Sequence, residues 1–162
     1  MYFLRMKPAP ARHRIRLGLT LLSFITVSAC SSGSAEQQVS QVDVVQVIDG
    51  DTVVIAGDER VRLIGIDTPE KGQCGFDEAK QALEKLLASG TATFYSGTTS
   101  DKDKYDRLLR YIEVEGIDVG LNLISNGLAT ARYDSRDGYG PHDRENEYID
   151  ADENSTPASI CD

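Results

Sequence analysis

The sequence predicts a mainly β domain built as a five-stranded closed barrel with about three α-helices. Short runs rich in β-branched residues alternate with turns that contain glycine and aspartate. One amphipathic helical segment interrupts the series of strands, and further helical segments follow the last strand. The stretch 42–162 has the length of one small domain with a single core.

The first three strands are predicted to form an antiparallel meander. Segments 42–48 and 52–55 are joined by Asp49-Gly50-Asp51, which suits a hairpin connection. A second turn, Ala56-Gly57-Asp58, leads into a strand over 60–66. The helix that follows is expected over 76–87, because apolar residues recur there at helical spacing and acidic residues fill its first turn.

Two more strands are predicted at 91–96 and 108–114, with a polar loop between them. A short helix is expected over 119–126, where Gly127 ends it, and a polar helical segment over 142–152. Five short strands with an interposed helix suit a small barrel of the oligonucleotide-binding (OB) type. His142, alone at the start of the last segment, is expected to be solvated or to cap the helix.

The N-terminal segment 1–29 is predicted to be a secretory signal, because basic residues precede an apolar run that is short for a membrane span. The run ends in Val27-Ser28-Ala29-Cys30, which resembles a bacterial lipobox. Cys30 is therefore the predicted lipidation site, 30–41 a flexible tether, and the location the outer face of the cytoplasmic membrane through a lipid anchor. An ordinary secreted protein is the alternative.

The charge of the chain is strongly acidic once the signal is set aside. The leader holds five of the 17 basic residues and none of the 26 acidic ones, which leaves 12 against 26 and a net charge of −14. Nucleic-acid binders usually carry a basic surface that releases counterions on binding. Any contact with a polyanion must therefore depend on local cations and metal, and we expect it to be weak and sensitive to salt.

Two neighbouring stretches carry the predicted chemistry. These are the stretches 48–53 (IDGDTV) and 62–70 (RLIGIDTPE). Each supplies carboxylates at one end of a predicted strand, and the second stretch also supplies an arginine. Hard cations such as Ca²⁺ take oxygen ligands, while guanidinium matches phosphate oxygens in a rigid fork. Together these residue types indicate metal-assisted phosphate chemistry.

The two stretches resemble the active-site motifs of the staphylococcal nuclease (thermonuclease) family, and the similarity runs from about Val42 to Asp152. The resemblance implies three roles for the matching residues. Calcium would be held by Asp51, Asp67 and the Thr68 carbonyl; Glu70 would hold or deprotonate the attacking water; Arg62 and Arg107 would stabilise the phosphoryl group, with Lys104, Tyr105 and Tyr133 contacting substrate.

The implied activity is calcium-dependent hydrolysis of DNA and RNA to 3′-phosphate products by a monomer. The alternatives are an OB-type module that binds nucleic acid without cutting it, and a structural lipoprotein of the envelope. One departure from the family pattern is Asp106, where the family usually has glycine, and a carboxylate there pairs with Arg107 or Lys104 or faces solvent.

Two cysteines remain after Cys30. Export would place Cys74 and Cys161 in an oxidising setting, where a pair of cysteines favours a disulfide. The alternative is two free thiols too far apart to meet.

Overall fold

The computed structural model describes residues 39–98 and 100–156. Nine strands and three α-helices occur in these ranges, with one 3₁₀ turn at Ser135–Asp137. In chain order they are β1 (Val39–Gln41), β2 (Val44–Val47), β3 (Thr52–Ile55), β4 (Arg60–Leu63), β5 (Ile66–Asp67), α1 (Phe76–Leu87), β6 (Ala92–Tyr95), β7 (Leu108–Val114), β8 (Ile117–Asp118), α2 (Val119–Ser125), β9 (Thr130–Ala131) and α3 (Glu145–Asn154).

The main sheet has the order β1-β6-β7-β4-β3-β2, with β8 paired to β7. The pair β4·β7 is parallel and the other pairs are antiparallel. Strands β1 and β2 are consecutive segments of the chain, separated only by Val42 and Asp43, so the two ends of the strand order are joined and the sheet curls into a half-barrel. This OB-type, mainly β architecture with three α-helices confirms the predicted fold class.

All five predicted strands are present as β2, β3, β4, β6 and β7. The structure adds β1 within the stretch that the sequence assigned to the tether, because Val39–Gln41 pairs with β6. A three-residue segment with one valine carries no periodicity that would reveal it. Its place in the sheet is decided by its partner strand rather than by its own composition.

The predicted strand 60–66 is divided by a turn at Gly65. Gly65 has a positive φ of 74°, and a Cβ there would lie 2.5 Å from the His142 ring. The turn sends Ile66 and Asp67 into a separate two-stranded sheet with β9. Glycine is required at this point because both the backbone conformation and the close approach of the histidine exclude a side chain.

One hydrophobic core fills the half-barrel and continues under the helices. Helix α1 contributes Ala79 and Leu83 from its apolar face, and α3 contributes Tyr148. The largest fully buried side chains are Tyr111, Tyr148, Phe94, Ile66, Leu83, Ile112, Leu123 and Ile124. Among the residues that the structure describes, no helix is both long and apolar enough to cross a membrane.

His142 is buried, so the prediction of a solvated side chain is wrong. The side chain is 7% exposed, and Nδ1 lies 2.7 Å from the Tyr111 hydroxyl. Burial lowers the pKa of His142, although Glu145, Asp134 and Asp143 pull it upward. This burial could not be read from the sequence, because the residues that cover His142 are far away along the chain: Gly65 in the turn between β4 and β5, and Tyr111 on β7.

A partly buried polar cluster, called here the Arg144 network, joins α3 to the sheet. Its members are Arg144, Glu113, Asp118, Tyr111 and Tyr148. Arg144 pairs through Nη1 with Asp118 and through Nη2 with Glu113. The Tyr148 hydroxyl lies 2.9 and 3.0 Å from the two Asp118 oxygens, and the guanidinium lies 4.5 Å from the Tyr111 ring centroid.

Candidate active site

Asp51 occupies the end of the β2–β3 turn and is almost fully buried. It is 5% exposed, and its Oδ1 accepts a hydrogen bond from the Thr52 hydroxyl at 3.0 Å. Its Oδ2 accepts from the Thr68 amide at 3.1 Å and from the Thr68 hydroxyl at 2.9 Å. The strand register therefore brings the two acidic stretches together, as the sequence predicted, and fixes the Asp51 carboxylate through several donors.

Arg62 lies on β4, opposite Thr52 of β3, and its side chain runs between the two carboxylates. Nη2 lies 3.2 Å from Asp51 Oδ2 and 3.4 Å from Asp67 Oδ1. The guanidinium also donates to the carbonyls of Leu63 at 3.0 Å and Ile66 at 2.9 Å. We call Arg62, Asp51, Asp67 and Thr68 the Arg62 corner.

Asp49 adds further negative charge beside the corner. Its Oδ1 accepts the Asp51 amide at 3.1 Å. Burial and the neighbouring Asp51 charge raise the pKa of Asp49, since each disfavours its ionised form. Asp49 and Asp51 therefore repel one another, and a cation bound nearby would relieve that repulsion.

The donor set of the corner fits calcium by its chemistry. Asp51 and Asp67 offer carboxylate oxygens and Thr68 offers a backbone carbonyl, all of them hard ligands of the kind Ca²⁺ takes. Within the described ranges, however, no three His, Cys, Asp or Glu side chains converge as a metal cluster. The two carboxylates instead share the Arg62 guanidinium, so calcium binding remains a prediction.

Arg107 is positioned by a loop that folds around Asp103. Asp103 Oδ1 accepts the amides of Tyr105 at 2.9 Å and Arg107 at 3.0 Å, and Oδ2 accepts Arg107 Nε at 2.7 Å. Burial opposes ionisation of Asp103, but these hydrogen bonds outweigh it and lower its pKa. Arg107 Nη1 lies 3.5 Å from the Thr52 hydroxyl, which also donates to Asp51. Thr52 thus connects the Arg107 loop to the Arg62 corner.

Lys104 and Tyr105, which the resemblance assigns to substrate contact, stand beside Arg107. The Tyr105 ring is exposed, with Lys104 Nζ 5.0 Å and Arg107 Cζ 5.5 Å from its centroid. A ring flanked by two cations presents a local positive surface on an otherwise acidic domain. Such a surface suits a phosphate group and its attached sugar.

Tyr133 reaches the corner from the segment after β9. Its hydroxyl donates to Asp67 Oδ1 at 3.1 Å, and the Arg62 guanidinium lies 5.4 Å from its ring centroid. Burial and the Asp67 charge raise the pKa of Tyr133, so the phenol stays protonated. Tyr133 is therefore placed directly against the corner.

Glu70 is exposed and takes no part in the ion pairs of the corner. Its amide donates to Gln73 Oε1 at 2.7 Å, and its carbonyl accepts the Gln73 amide at 2.8 Å. The backbone at Glu70 is therefore fixed by a turn, while the carboxylate faces solvent. Among the predicted active-site residues that the structure describes, Glu70 is the one whose side chain forms no hydrogen bond, ion pair or ring contact with the others.

Asp106 pairs with neither Arg107 nor Lys104. Its Oδ1 lies 3.0 Å from Lys102 Nζ at the surface, and its backbone has a positive φ of 64°. This conformation favours glycine, which gives a physical reason for glycine at the corresponding place in the family. Asp106 therefore adopts a backbone conformation that favours glycine, and its carboxylate contacts Lys102 rather than Arg107.

Asp103 and Thr52 were missed as members of the site. Asp103 sits four residues before Arg107, and an aspartate that accepts amides two and four residues onward is a recognisable turn signal. Nothing in the sequence marks Thr52, because Arg107, the partner that makes it a link between the two parts of the site, lies 55 residues away. Cys30 and Cys161 lie outside the described residues, so lipidation and the bridge to Cys74 stay predictions.

Comparison with known proteins is consistent with this geometry. The profile of the family described as "Staphylococcal nuclease homologue" matches residues 60–156. An uncharacterized endonuclease of Haemophilus influenzae is 28% identical over 91% of this chain and 76% of its own length. The thermonuclease of Staphylococcus intermedius is 34% identical over 61% of each chain.

A third relative has a name from another area of biology. The succinoglycan biosynthesis protein ExoI of Rhizobium meliloti is 36% identical over 62% of this chain and 56% of its own length. The matched segment therefore spans between about half and three quarters of these relatives. Relatives that share a fold and a site need not share a biological role.

Proposed function

Because the chain belongs to the staphylococcal nuclease homologue family, and is therefore a hydrolase of the nuclease class, we propose that it cleaves DNA and RNA in a calcium-dependent reaction that leaves 3′-phosphate ends. The observation that carries the proposal is the Arg62 corner. A buried guanidinium there lies between two carboxylates, and Thr52 links it to a second arginine, Arg107.

In this proposal the two arginines bind the scissile phosphate. Charge grows on the phosphoryl oxygens as water attacks, and fixed guanidinium donors stabilise that charge. Arg62 is held by two backbone carbonyls and Arg107 by Asp103, so neither has to be reorganised during the reaction. Their rigidity supplies the preorganisation on which electrostatic catalysis depends.

Glu70 is assigned the role of general base. Its exposed carboxylate can accept a proton from the attacking water while the new P–O bond forms. The bond from phosphorus to the 5′-oxygen breaks, and that oxygen takes up a proton to become a hydroxyl. Calcium, held by Asp51, Asp67 and the Thr68 carbonyl when bound, would supply positive charge beside the phosphate.

The test is hydrolysis by the purified protein. Single-stranded DNA, duplex DNA and RNA are each incubated with Ca²⁺, and then with excess chelator, and the ends of the products are identified. We expect calcium-dependent cleavage with 3′-phosphate ends. Absence of cleavage in a folded sample would overturn the proposal and favour the alternative of a binding module that does not cut.

Two variants with matched controls test the assigned roles. Glu70→Gln is expected to lower the hydrolysis rate about 10³-fold, because a general base contributes roughly 10²–10⁴. Arg107→Ala is expected to lower it about 10²-fold or more. Glu78→Gln in the first turn of α1 and Arg60→Ala at the start of β4 remove the same charges elsewhere, and should leave the rate unchanged. Unchanged rates in both site variants would contradict the mechanism.

We further propose that the protein is exported and anchored through a lipid on Cys30. The support is the sequence pattern at 27–30, since these residues lie outside the described ranges. Cells that express the full chain or Cys30→Ser are supplied with labelled fatty acid and fractionated. Label and membrane association that are lost in Cys30→Ser would support the anchor, whereas an unlabelled protein in the medium would favour the secreted alternative.

A further inference from the structure

Two exposed tyrosine rings pack edge to face next to the Arg62 corner. Tyr133 is 41% exposed and Tyr139 is 57% exposed. Their ring centroids are 5.4 Å apart and their planes are nearly perpendicular, at 88°. Large apolar rings that stay in solvent in a fixed arrangement are typical of binding surfaces, where Tyr is enriched.

The pair is connected to the candidate site through Tyr133. Its hydroxyl reaches Asp67, and the Arg62 guanidinium lies against its ring. In an edge-to-face pair the contact with Tyr133 uses either the edge of Tyr139 or one of its two faces. In both arrangements Tyr139 keeps an open ring face, consistent with its high exposure.

The loop that carries both rings is braced internally. Asp134 is 1% exposed and accepts hydrogen bonds from the Arg136 side chain and amide. The Tyr139 amide donates to the Asp134 carbonyl at 3.1 Å, and the Tyr133 amide donates to Asp137 Oδ2 at 2.8 Å. The backbone that carries the two rings is therefore held in place before any ligand arrives, which lowers the entropic cost of binding.

The charges of the same loop leave little for a phosphate. Arg136 is paired with Asp134 at 2.7 Å, and Arg132 is paired with Asp137 at 3.2 Å. A ligand that meets this loop therefore finds two exposed rings beside arginines that already have carboxylate partners. Nucleobases are the flat groups that accompany phosphates, and each base has a face suited to stacking.

From these observations we propose that Tyr139 stacks on a nucleobase of single-stranded nucleic acid, next to the phosphate bound at the Arg62 corner. This inference rests on the proposed function and names its preferred substrate form. A base within a duplex is already stacked and paired, so the platform selects unpaired strands. The contact is tolerant of sequence, because it reads the face of the base rather than its edge.

The experiment compares Tyr139→Ala with Tyr139→Phe in the full chain. Stacking on an aromatic ring contributes roughly 1–3 kcal/mol per base, so Tyr139→Ala should raise KM for single-stranded oligonucleotides about tenfold with little change in kcat. Tyr139→Phe keeps the ring and should behave as the wild type. Val45→Ala, which trims another exposed apolar side chain on β2, should also have no effect.

Oligonucleotides with one cleavable bond and one abasic nucleotide locate the contact. At one position beside the bond, removal of the base should raise KM of the wild-type protein about tenfold and erase the difference from Tyr139→Ala. An unchanged KM in Tyr139→Ala, or an effect that persists at every abasic position, would overturn the proposal.

Binding of the same fluorescent oligonucleotides is measured by anisotropy without cleavage. Should no protein cleave while Tyr139→Ala still binds about tenfold more weakly than Tyr139→Phe, the stacking platform stands and the nuclease proposal fails. Equal binding by both variants together with normal cleavage would reject the platform alone.

Discussion

The Arg62 corner and the Arg144 network contain the same three charges, one arginine between two carboxylates, but they distribute the arginine differently. In the Arg144 network each terminal nitrogen has its own carboxylate, and Tyr148 donates to Asp118 as well. In the corner a single nitrogen, Nη2 of Arg62, serves Asp51, Asp67 and the Ile66 carbonyl together.

The difference teaches how one set of side chains serves structure in one place and chemistry in another. The Arg144 network is satisfied from within, since its arginine, carboxylates and tyrosine hydroxyl are one another's partners. The corner is closed on the Asp51 side and open at Asp67, whose side chain is 39% exposed. The Arg62 side chain itself is only 9% exposed, so an incoming phosphate would approach the corner from the Asp67 side.

The largest effect is expected when the arginine of the Arg144 network is removed. Arg144→Ala leaves Glu113 and Asp118 without their cation, and should lower the free energy of unfolding by about 3 kcal/mol. Urea denaturation followed by circular dichroism measures the change, with Arg60→Ala as the exposed control. The hydrolysis rate per folded molecule should remain that of the wild type. A free energy of unfolding within about 0.5 kcal/mol of the wild type would show that the Arg144 network does not stabilise the fold.

In the Arg62 corner, Arg62→Lys should change the hydrolysis rate more than the stability. Lysine keeps the charge but lacks the planar fork that contacts two carbonyls and two carboxylates. The hydrolysis rate should fall about 10²-fold, with a smaller loss of stability than for Arg144→Ala. A rate within threefold of the wild type would mean that the corner needs only a positive charge.

The next prediction concerns the buried His142 and the dependence of stability on pH. The pKa of His142 is lowered in the folded state, so the unfolded chain takes up the proton first as pH falls. Its contribution is present above the unfolded pKa of about 6.5 and is lost as pH drops below it. The wild type should therefore lose more stability between pH 7 and pH 5 than His142→Gln, which does not titrate. Parallel curves would contradict this expectation.

The smallest effect concerns Asp106. Asp106→Gly removes an unfavourable left-handed conformation at the cost of a more flexible unfolded chain, for a net gain of about 0.5 kcal/mol. Asp58→Gly is the matched control, because Asp58 also has a positive φ, 63°, in a different turn. Both variants should gain stability in thermal unfolding, while only Asp106→Gly should alter hydrolysis. Equal hydrolysis rates in the two variants would show that Asp106 does not influence catalysis through Arg107.

The corner was predictable from sequence because its members follow strands that pair with their neighbours. A hairpin register fixes which residues face one another, so Asp51, Arg62 and Asp67 were expected together. The Arg144 network was not predictable, since Glu113 and Asp118 lie 31 and 26 residues before Arg144. No periodic pattern connects α3 to β7 and β8 at that separation, and the same holds for β1 and its partner β6.

The turn at Gly65 also determines when the site can assemble. Its carbonyl accepts the Arg132 amide at 3.1 Å, and the His142 ring fills the space where a side chain would stand. The chain leaves the ribosome from its N-terminus, so Asp51, Arg62 and Asp67 are synthesised long before the residues that hold this turn. Arg132 and His142 emerge only when about nine tenths of the chain has left the ribosome, so a copy truncated before them lacks the contacts that hold this turn.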